Sequence, residues 1–286
     1  MPSNDAARIA SAPPAATACA AEQPAVADAM ARLYDHYYAS HAYDLRYPRP
    51  NPGVMRFLLE HGAADARNIL DFGCGSGRYG MALLERGSAR MTAYDISKVS
   101  LAEYARRLRQ SPHASRVTLA GGELSSLGCA PSYDMVLMLF GVLSHVGARA
   151  ERLRVLQRLR RLVDGQGSLI LSVPSIWRRR PLELARAMLA RQAGRAAPPR
   201  DEPGNVVFSR EVGGMPVEFF YHLYTLARLA DELAAAGFAL VECRAESVLP
   251  EWLVTQHPRL ARLDAAAARI LPAALGYGIC ALARPV

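Results

Sequence analysis

Short apolar runs alternate with segments of helical periodicity from Asn68 onward, and this alternation limits the fold more than any other feature. In Arg149–Leu162, for example, leucines recur at positions 153, 156, 159 and 162, a helical spacing. Strands that alternate with helices are typical of a parallel sheet covered on both faces. We therefore predict an α/β, Rossmann-like, doubly wound sheet. Its seven predicted strands are Asn68–Phe72, Arg90–Tyr94, Arg116–Ala120, Tyr133–Leu139, Gly167–Val173, Phe238–Ala245 and Leu275–Ala283.

The chain interrupts this pattern in two places. Residues 1–27 are rich in Ala, Pro and Ser without periodicity, which predicts a disordered tail. Residues 174–224 carry many Arg, Pro and Gly residues and a short predicted helix at Leu182–Ala190. We interpret them as a lid insertion, because such loops usually carry specificity. The remaining residues, 28–286, are predicted to form one domain with an N-terminal lid segment at 28–54.

Composition and charge exclude several protein classes. Of the 286 residues, 51% are hydrophobic and 21% are charged, the balance of an ordinary folded domain. The longest apolar run, Met135–Leu143, is about half of a membrane span, so we predict a soluble, cytoplasmic protein without a membrane partner. Five cysteines without a C-x-x-C pair indicate neither disulfides nor a metal site. The net charge of +8 permits nucleic acid as a partner, but solvated arginine-rich helix faces would explain it equally well.

A glycine-rich loop follows the first predicted strand and opens into a helix. Asp71 precedes Gly73, Gly75 and Gly77 at alternate positions. Glycines let the backbone approach a ligand closely, and a helix N-terminus offers free N–H groups to an anion. Dinucleotide-binding folds use a related G-x-G-x-x-G loop, so the loop alone does not distinguish a dinucleotide from another ligand. Asp95, at the end of the second strand, is placed to accept both hydroxyls of a ribose.

With these motifs in this order, the chain resembles the class I S-adenosylmethionine (SAM)-dependent methyltransferases over about residues 55–173. The resemblance implies that the glycines wrap the methionine part of SAM, that Asp95 holds the ribose and that Ile96 flanks the adenine. It also implies that Glu123 reaches the adenine amino group. The two C-terminal strands fit the closing hairpin of that family, with an antiparallel last strand. The cofactor-binding positions implied in this way are Asp71, Gly73, Cys74, Gly75, Gly77, Asp95, Ile96, Glu123, Leu124 and Leu139. Packing is the more natural role for the small Cys74 side chain than catalysis.

The N-terminal segment is unusually rich in tyrosine. Five of the twelve tyrosines fall between Tyr34 and Pro48. Two interpretations stand side by side. The segment is either a helix packed on the sheet edge, or a lid in which Arg46 or Tyr47 meets the SAM carboxylate and aromatic faces surround the sulfonium.

Candidate catalytic residues are His145, His222 and Tyr47. A base is needed only if the acceptor sheds a proton, and each histidine is as consistent with packing as with catalysis. His222 lies in Glu218–Tyr224, a segment that resembles wobble-uridine tRNA methyltransferases, as do Arg46-Tyr47-Pro48 and Gly77-Arg78-Tyr79.

The resemblance implies methyl transfer from SAM to a small molecule in specialised metabolism, with amino-acid-like or thioether acceptors included. Two alternatives stay open at this point. One is a tRNA-modifying methyltransferase, and the other is a non-catalytic partner protein with the same fold.

Overall fold

The computed structural model describes residues 25–128, 133–179, 202, 204–212 and 214–286. The strands in these residues are β1 (Asn68–Phe72), β2 (Arg90–Asp95), β3 (Val117–Gly121), β4 (Tyr133–Met138), β5 (Val163–Pro174), β6 (Asn205–Val212), β7 (Met215–His222), β8 (Phe238–Ala245) and β9 (Gly278–Pro285). The helices are α1 (Ala25–Ala39), α2 (Ala42–Arg46), α3 (Pro52–Glu60), α4 (Arg78–Leu84), α5 (Lys98–Leu108), α6 (Val142–His145), α7 (Arg149–Leu162), α8 (Ile176–Arg179), α9 (Leu226–Ala235), α10 (Glu251–Gln256) and α11 (Pro258–Ala267).

Seven strands form one mixed sheet in the order β3-β2-β1-β4-β5-β9-β8. Strands β1 to β5 pair in parallel, and β9 runs antiparallel to both of its neighbours, β5 and β8. The predicted seven-stranded, Rossmann-like sheet with an antiparallel last strand is therefore confirmed. Because β1, β2 and β4 are parallel neighbours, their carboxyl ends lie side by side. The strand order changes direction between β1 and β4, the position at which open α/β sheets bind ligands.

Both faces of the sheet are covered by helices. Ile69 and Leu70 are consecutive in β1 and point to opposite faces, yet both are fully buried. Ile69 packs in an apolar cluster with residues of α3, α4 and α5, and Leu70 packs with residues of α7 and α9. The near-continuous apolar strands of the sequence follow from this double burial.

A third apolar cluster joins the N-terminal helices to a two-stranded antiparallel hairpin. Tyr37, Tyr38 and Tyr43 from α1 and α2 pack with Phe219 of β7 and Val212 of β6. The hairpin pairs Asn205–Val212 with Met215–His222, and the sequence analysis did not predict it inside the 174–224 insertion. The predicted helix at Leu182–Ala190 lies outside the described residues.

Helix α1 begins at Ala25, so its first three residues fall inside the predicted tail. The rest of that tail, residues 1–24, lies outside the described part of the chain. Among the helices described above, none is long and apolar enough to cross a membrane.

Candidate active site

The glycine loop is held against β2 by its own backbone. The N–H groups of Gly73 and Cys74 both donate to the Tyr94 carbonyl, at 2.8 and 3.0 Å. Gly73, Gly75 and Gly77 all have φ between 56° and 83°, the left-handed region that a side chain disfavours. A Cβ at Gly75 would also lie 2.1 Å from the Tyr38 hydroxyl oxygen. The loop therefore needs glycine for its turn and for the close approach of α1.

Asp95 lies at the end of β2 with its carboxylate fixed by two backbone donors. Oδ2 accepts from the Gly75 N–H and Oδ1 from the Ser97 N–H, both at 2.8 Å. Burial raises the pKa of Asp95, while these hydrogen bonds oppose the rise. Because each carboxylate oxygen has a second lone pair, both can still accept a hydroxyl from a ligand in the adjoining cavity.

That cavity, here called the main cavity, has a volume of about 230 Å³ and lies at the carboxyl ends of the strands. The predicted residues Gly73, Asp95, Ile96, Leu124 and Leu139 line it. Its opposite wall comes from the N-terminal helices and from the segment after β4, through Tyr34, Tyr38, Tyr43, Phe140 and His145. Glu123, predicted to reach the adenine, is exposed and accepts a hydrogen bond from Ser125; it does not line this cavity.

A smaller cavity of about 20 Å³, the loop cavity, lies beside the glycine loop and is lined by Asp71, Cys74 and Arg78, among others. Asp71 Oδ2 is buried and, among the described residues, has no hydrogen-bond partner. The same holds for Nε and Nη2 of Arg78 in the part of the chain that the structure describes. Burial, and next the Asp95 charge, raise the pKa of Asp71 to about 7. Asp71 and Arg78 thus line the same cavity, and each has buried polar atoms without a hydrogen-bond partner among the described residues.

Arg78 is kept in place from the opposite side by a buried ion pair. Its Nη1 donates to Glu251 Oε1 at 3.0 Å, and both side chains are at most 7% exposed. Glu251 also accepts from Asn51 Nδ2 at 2.7 Å. Arg78 also lines the loop cavity, and the sequence motifs gave this residue no role.

Arg46 and Tyr47 lie elsewhere. Arg46 Nε donates to the Tyr47 hydroxyl at 3.1 Å, and its guanidinium is 5.7 Å from the ring of Trp252. Both residues line a third cavity of about 80 Å³, the side cavity, which shares the lining residue Phe140 with the main cavity. Neither residue lines the loop cavity or the main cavity. Arg78, rather than Arg46, is therefore the arginine beside the glycine loop.

The two candidate histidines differ in position. His145 lines the main cavity, with Nε2 at 2.7 Å from the Tyr34 hydroxyl and Nδ1 at 3.0 Å from the Phe220 carbonyl. His222 is fully buried, its Nδ1 lies 2.7 Å from Asn205 Oδ1, and it lines none of the three cavities. Of the two candidate histidines, His145 therefore borders the main cavity, and His222 borders none of the three cavities.

His222 belongs instead to a buried charge network. Its side chain and those of Glu202 and Glu232 form a group whose ligand atoms lie within 4.8 Å of one another. The fully buried guanidinium of Arg152 donates to both carboxylates, at 2.6 and 2.7 Å. Burial, followed by the charge of Arg152, lowers the pKa of His222 to about 3. Because Arg152 already supplies the positive charge, we interpret this group as structural.

Comparison with known proteins agrees with this geometry. Residues 70–169 match a family model described as a methyltransferase domain. Over 141 residues, 49% of this chain and 55% of the relative, the chain is 29% identical to the cypemycin N-terminal methyltransferase of a Streptomyces species. Over 70 residues, it is 33% identical to the tRNA1(Val) (adenine(37)-N6)-methyltransferase of Shewanella putrefaciens, covering 24% of this chain and 29% of that enzyme. The chain thus matches about half of the length of the first relative and less than a third of the length of the second.

A solved structure extends the likeness in fold to most of the chain. The 1,6-didemethyltoxoflavin-N1-methyltransferase of Burkholderia thailandensis superposes with a TM-score of 0.57 and 19% identity, over 93% of each chain. That crystal structure holds S-adenosylhomocysteine and 1,6-didemethyltoxoflavin. Residues 70–169 of the present chain thus match the model of a methyltransferase domain, and the chain shares the fold of this methyltransferase structure.

Proposed function

We propose that this protein transfers a methyl group from SAM to a small-molecule acceptor. The observation that carries the proposal is that two buried polar groups without hydrogen-bond partners among the described residues line the same loop cavity. Buried polar atoms are nearly always hydrogen-bonded in folded proteins, so Asp71 Oδ2 and the Arg78 donors together indicate a ligand. An α-amino acid, with its ammonium and its carboxylate, is complementary to that pair, and SAM carries one.

The other parts of SAM fit the neighbouring residues. In this proposal Asp71 accepts from the ammonium, Arg78 donates to the carboxylate, and Asp95 holds the ribose hydroxyls. Ile96 and Leu124 contact the adenine from the apolar wall of the main cavity. When bound, SAM supplies an electrophilic methyl group. The protein holds it in line with an acceptor, which supplies much of the acceleration of such a displacement.

Aromatic side chains would surround the sulfonium. Tyr38, Tyr43 and Phe140 line both the main cavity and the loop cavity, and the faces of such rings attract cations. Phe140 is held there with φ at 59°, an uncommon conformation for a residue other than glycine, Asn or Asp. Such backbone outliers cluster at functional sites.

A small acceptor is favoured because the approach to the site is covered. α1 and the β6–β7 hairpin pack on each other, and residues of α1 line the main cavity of about 230 Å³ together with His145, so a compact acceptor group suits the space beside the donor. The cypemycin relative is named for the N-terminus of a peptide, and an amine of that kind would fit here. In this proposal, the segment 28–54 and the insertion 174–224 act as lids on one domain, and the protein is cytoplasmic.

A tRNA acceptor is the second candidate, supported by the tRNA methyltransferase match and by the net charge of +8. Contacts to several phosphates would make binding of bulk tRNA fall steeply with salt. We expect no such salt-dependent binding. A steep loss of tRNA affinity between 50 and 200 mM salt would favour the RNA acceptor instead.

Calorimetric titration with S-adenosylhomocysteine tests the donor. We expect binding by the wild type and a loss of at least about tenfold in Asp95→Ala, because hydrogen bonds to a charged group contribute about 1.5–3 kcal/mol. Asp231→Ala, the same change at an exposed position of α9, is the matched control and should bind like the wild type. A wild type that does not bind would overturn the proposal.

A further inference from the structure

We propose that Tyr34 and His145 form a proton-accepting dyad that faces the transferred methyl group, so that the acceptor is a protic group, an amine or a hydroxyl. This inference rests on the proposed function and names the class of its substrate. It assigns a catalytic role to Tyr34, a residue of the tyrosine-rich N-terminal segment that was predicted either to pack on the sheet edge or to form a lid.

The contacts of His145 determine which atom donates in each hydrogen bond of the dyad. His145 Nδ1 lies 3.0 Å from the Phe220 carbonyl oxygen, which only accepts, so Nδ1 carries the ring hydrogen. Nε2 then has a lone pair and accepts the Tyr34 hydroxyl hydrogen across 2.7 Å. Burial raises the pKa of Tyr34 well above its usual value, which keeps this hydroxyl protonated and donating. The chain of donors therefore runs from Tyr34 through His145 to Phe220.

The dyad lies within the proposed donor site. Tyr34 and His145 line the same main cavity as Gly73 and Asp95. The two rings meet edge to face, with centroids 5.3 Å apart, and the ring of Tyr221 also packs against His145, with centroids 4.2 Å apart. The Tyr34 hydroxyl donates its only hydrogen to His145, so the lone pairs of its oxygen are left to accept from a group in the cavity.

This arrangement accepts one proton for each methyl transferred. The acceptor lone pair forms the new bond to carbon, and the broken carbon–sulfur bond leaves its electron pair on sulfur. The proton of the acceptor passes to the Tyr34 oxygen while the Tyr34 proton passes to His145 Nε2. The resulting imidazolium still donates from Nδ1 to Phe220 and releases its extra proton to water after the product leaves.

The parts of the dyad come from separate elements that cover the site. Tyr34 belongs to α1, His145 ends α6 after β4, and Phe220 belongs to β7 of the hairpin. Packing of α1 and the hairpin over the sheet thus completes the base. A thioether or carboxylate acceptor has no proton to lose and would leave this assembly without a use.

Sinefungin and S-adenosylhomocysteine provide a test that needs no identified acceptor. In sinefungin a carbon bearing an ammonium group replaces the methylated sulfur, so that the ammonium stands where the methyl group would be. Its N–H would donate to the Tyr34 oxygen as an acceptor would. S-adenosylhomocysteine lacks this group and reports on the rest of the site. The measurement is the ratio of the two dissociation constants, from calorimetry, in each variant.

We expect the preference of the wild type for sinefungin to fall about tenfold or more in Tyr34→Phe, since a hydrogen bond to a charged group is lost. His145→Ala should reduce it too, because the Tyr34 hydroxyl loses the acceptor that orients it. Tyr37→Phe removes a hydroxyl from the same helix, at a buried residue outside the main cavity, and should leave the ratio unchanged.

The outcomes separate the two proposals. A variant that is merely destabilised would bind both ligands more weakly and keep the ratio, as thermal unfolding would show. An unchanged ratio in both Tyr34→Phe and His145→Ala overturns the dyad while leaving the donor site intact. Failure of the wild type to bind S-adenosylhomocysteine would instead overturn the proposed function.

Discussion

Replacement of Arg78 by methionine should remove the ability of the site to recognise the amino-acid part of SAM. The side chain is buried, and its Nε and Nη2 are without hydrogen-bond partners among the described residues. Two charge-assisted hydrogen bonds to a carboxylate, at about 1.5–3 kcal/mol each, would contribute at least about 3 kcal/mol. That energy corresponds to an affinity difference on the order of 100-fold.

The assay compares two ligands by calorimetry. S-adenosylhomocysteine carries the amino-acid group, and 5′-methylthioadenosine keeps the adenosine and the sulfur but lacks that group. We expect the wild type to prefer S-adenosylhomocysteine, and Arg78→Met to lose most of the preference by weakening only the larger ligand. Equal preference in the wild type and the variant would refute the assignment of Arg78 to the carboxylate.

The ion pair with Glu251 makes a control necessary. Arg78→Met leaves Glu251 buried without its guanidinium, and breaking a buried pair costs about 3–5 kcal/mol of stability. Glu251→Gln breaks the same pair but keeps the Arg78 donors. We expect that variant to unfold at lower denaturant concentration and still to discriminate between the two ligands.

Three further results are expected. Gly75→Ala should lower both the free energy of unfolding and the affinity for S-adenosylhomocysteine, as measured by denaturation and calorimetry. The reason is that its Cβ would meet the Tyr38 hydroxyl at 2.1 Å and that strained φ values cost about 1–3 kcal/mol. The pKa of Asp71 is raised to about 7, and the ammonium group of the ligand needs the carboxylate form. The affinity for S-adenosylhomocysteine should therefore fall by up to about tenfold per pH unit below 7, and Asp71→Asn should abolish this pH dependence. Arg152→Leu should lower the free energy of unfolding by about 3–5 kcal/mol in urea, because Glu232 stays buried without its partner.

The parts of the fold that were predicted correctly are those fixed by local pattern. The leucine spacing predicted α7 with the bounds the structure has, and the glycine loop was placed between a strand and a helix. The β6–β7 hairpin was missed because the Arg, Pro and Gly content of the insertion indicated a loop. The Gly213-Gly214 pair in the sequence was the signal that could have revealed it, since Gly-Gly between strand-like runs is typical of a hairpin turn.

The site was less predictable, because its contacts join distant parts of the chain. Nothing local distinguishes Arg46 from Arg78 as a carboxylate partner; the difference arises from where α2 and α10 pack. Tyr34 and His145 are 111 residues apart, and their hydrogen bond exists only once α1 covers the sheet. Sequence motifs indicated Gly73, Asp95 and Leu139, which line the main cavity, whereas the packing of the N-terminal helices and the hairpin positions the residues of its opposite wall.

Transfer of labelled methyl groups tests the central claim most directly. The protein would be incubated with S-adenosyl-L-[methyl-14C]methionine and an extract of its source cells, divided into a low-mass fraction and an RNA fraction. We predict label in the low-mass fraction, and its loss with Asp95→Ala. Label confined to nuclease-sensitive material would contradict the small-molecule acceptor, and binding of SAM without labelling of any fraction would contradict the enzymatic function.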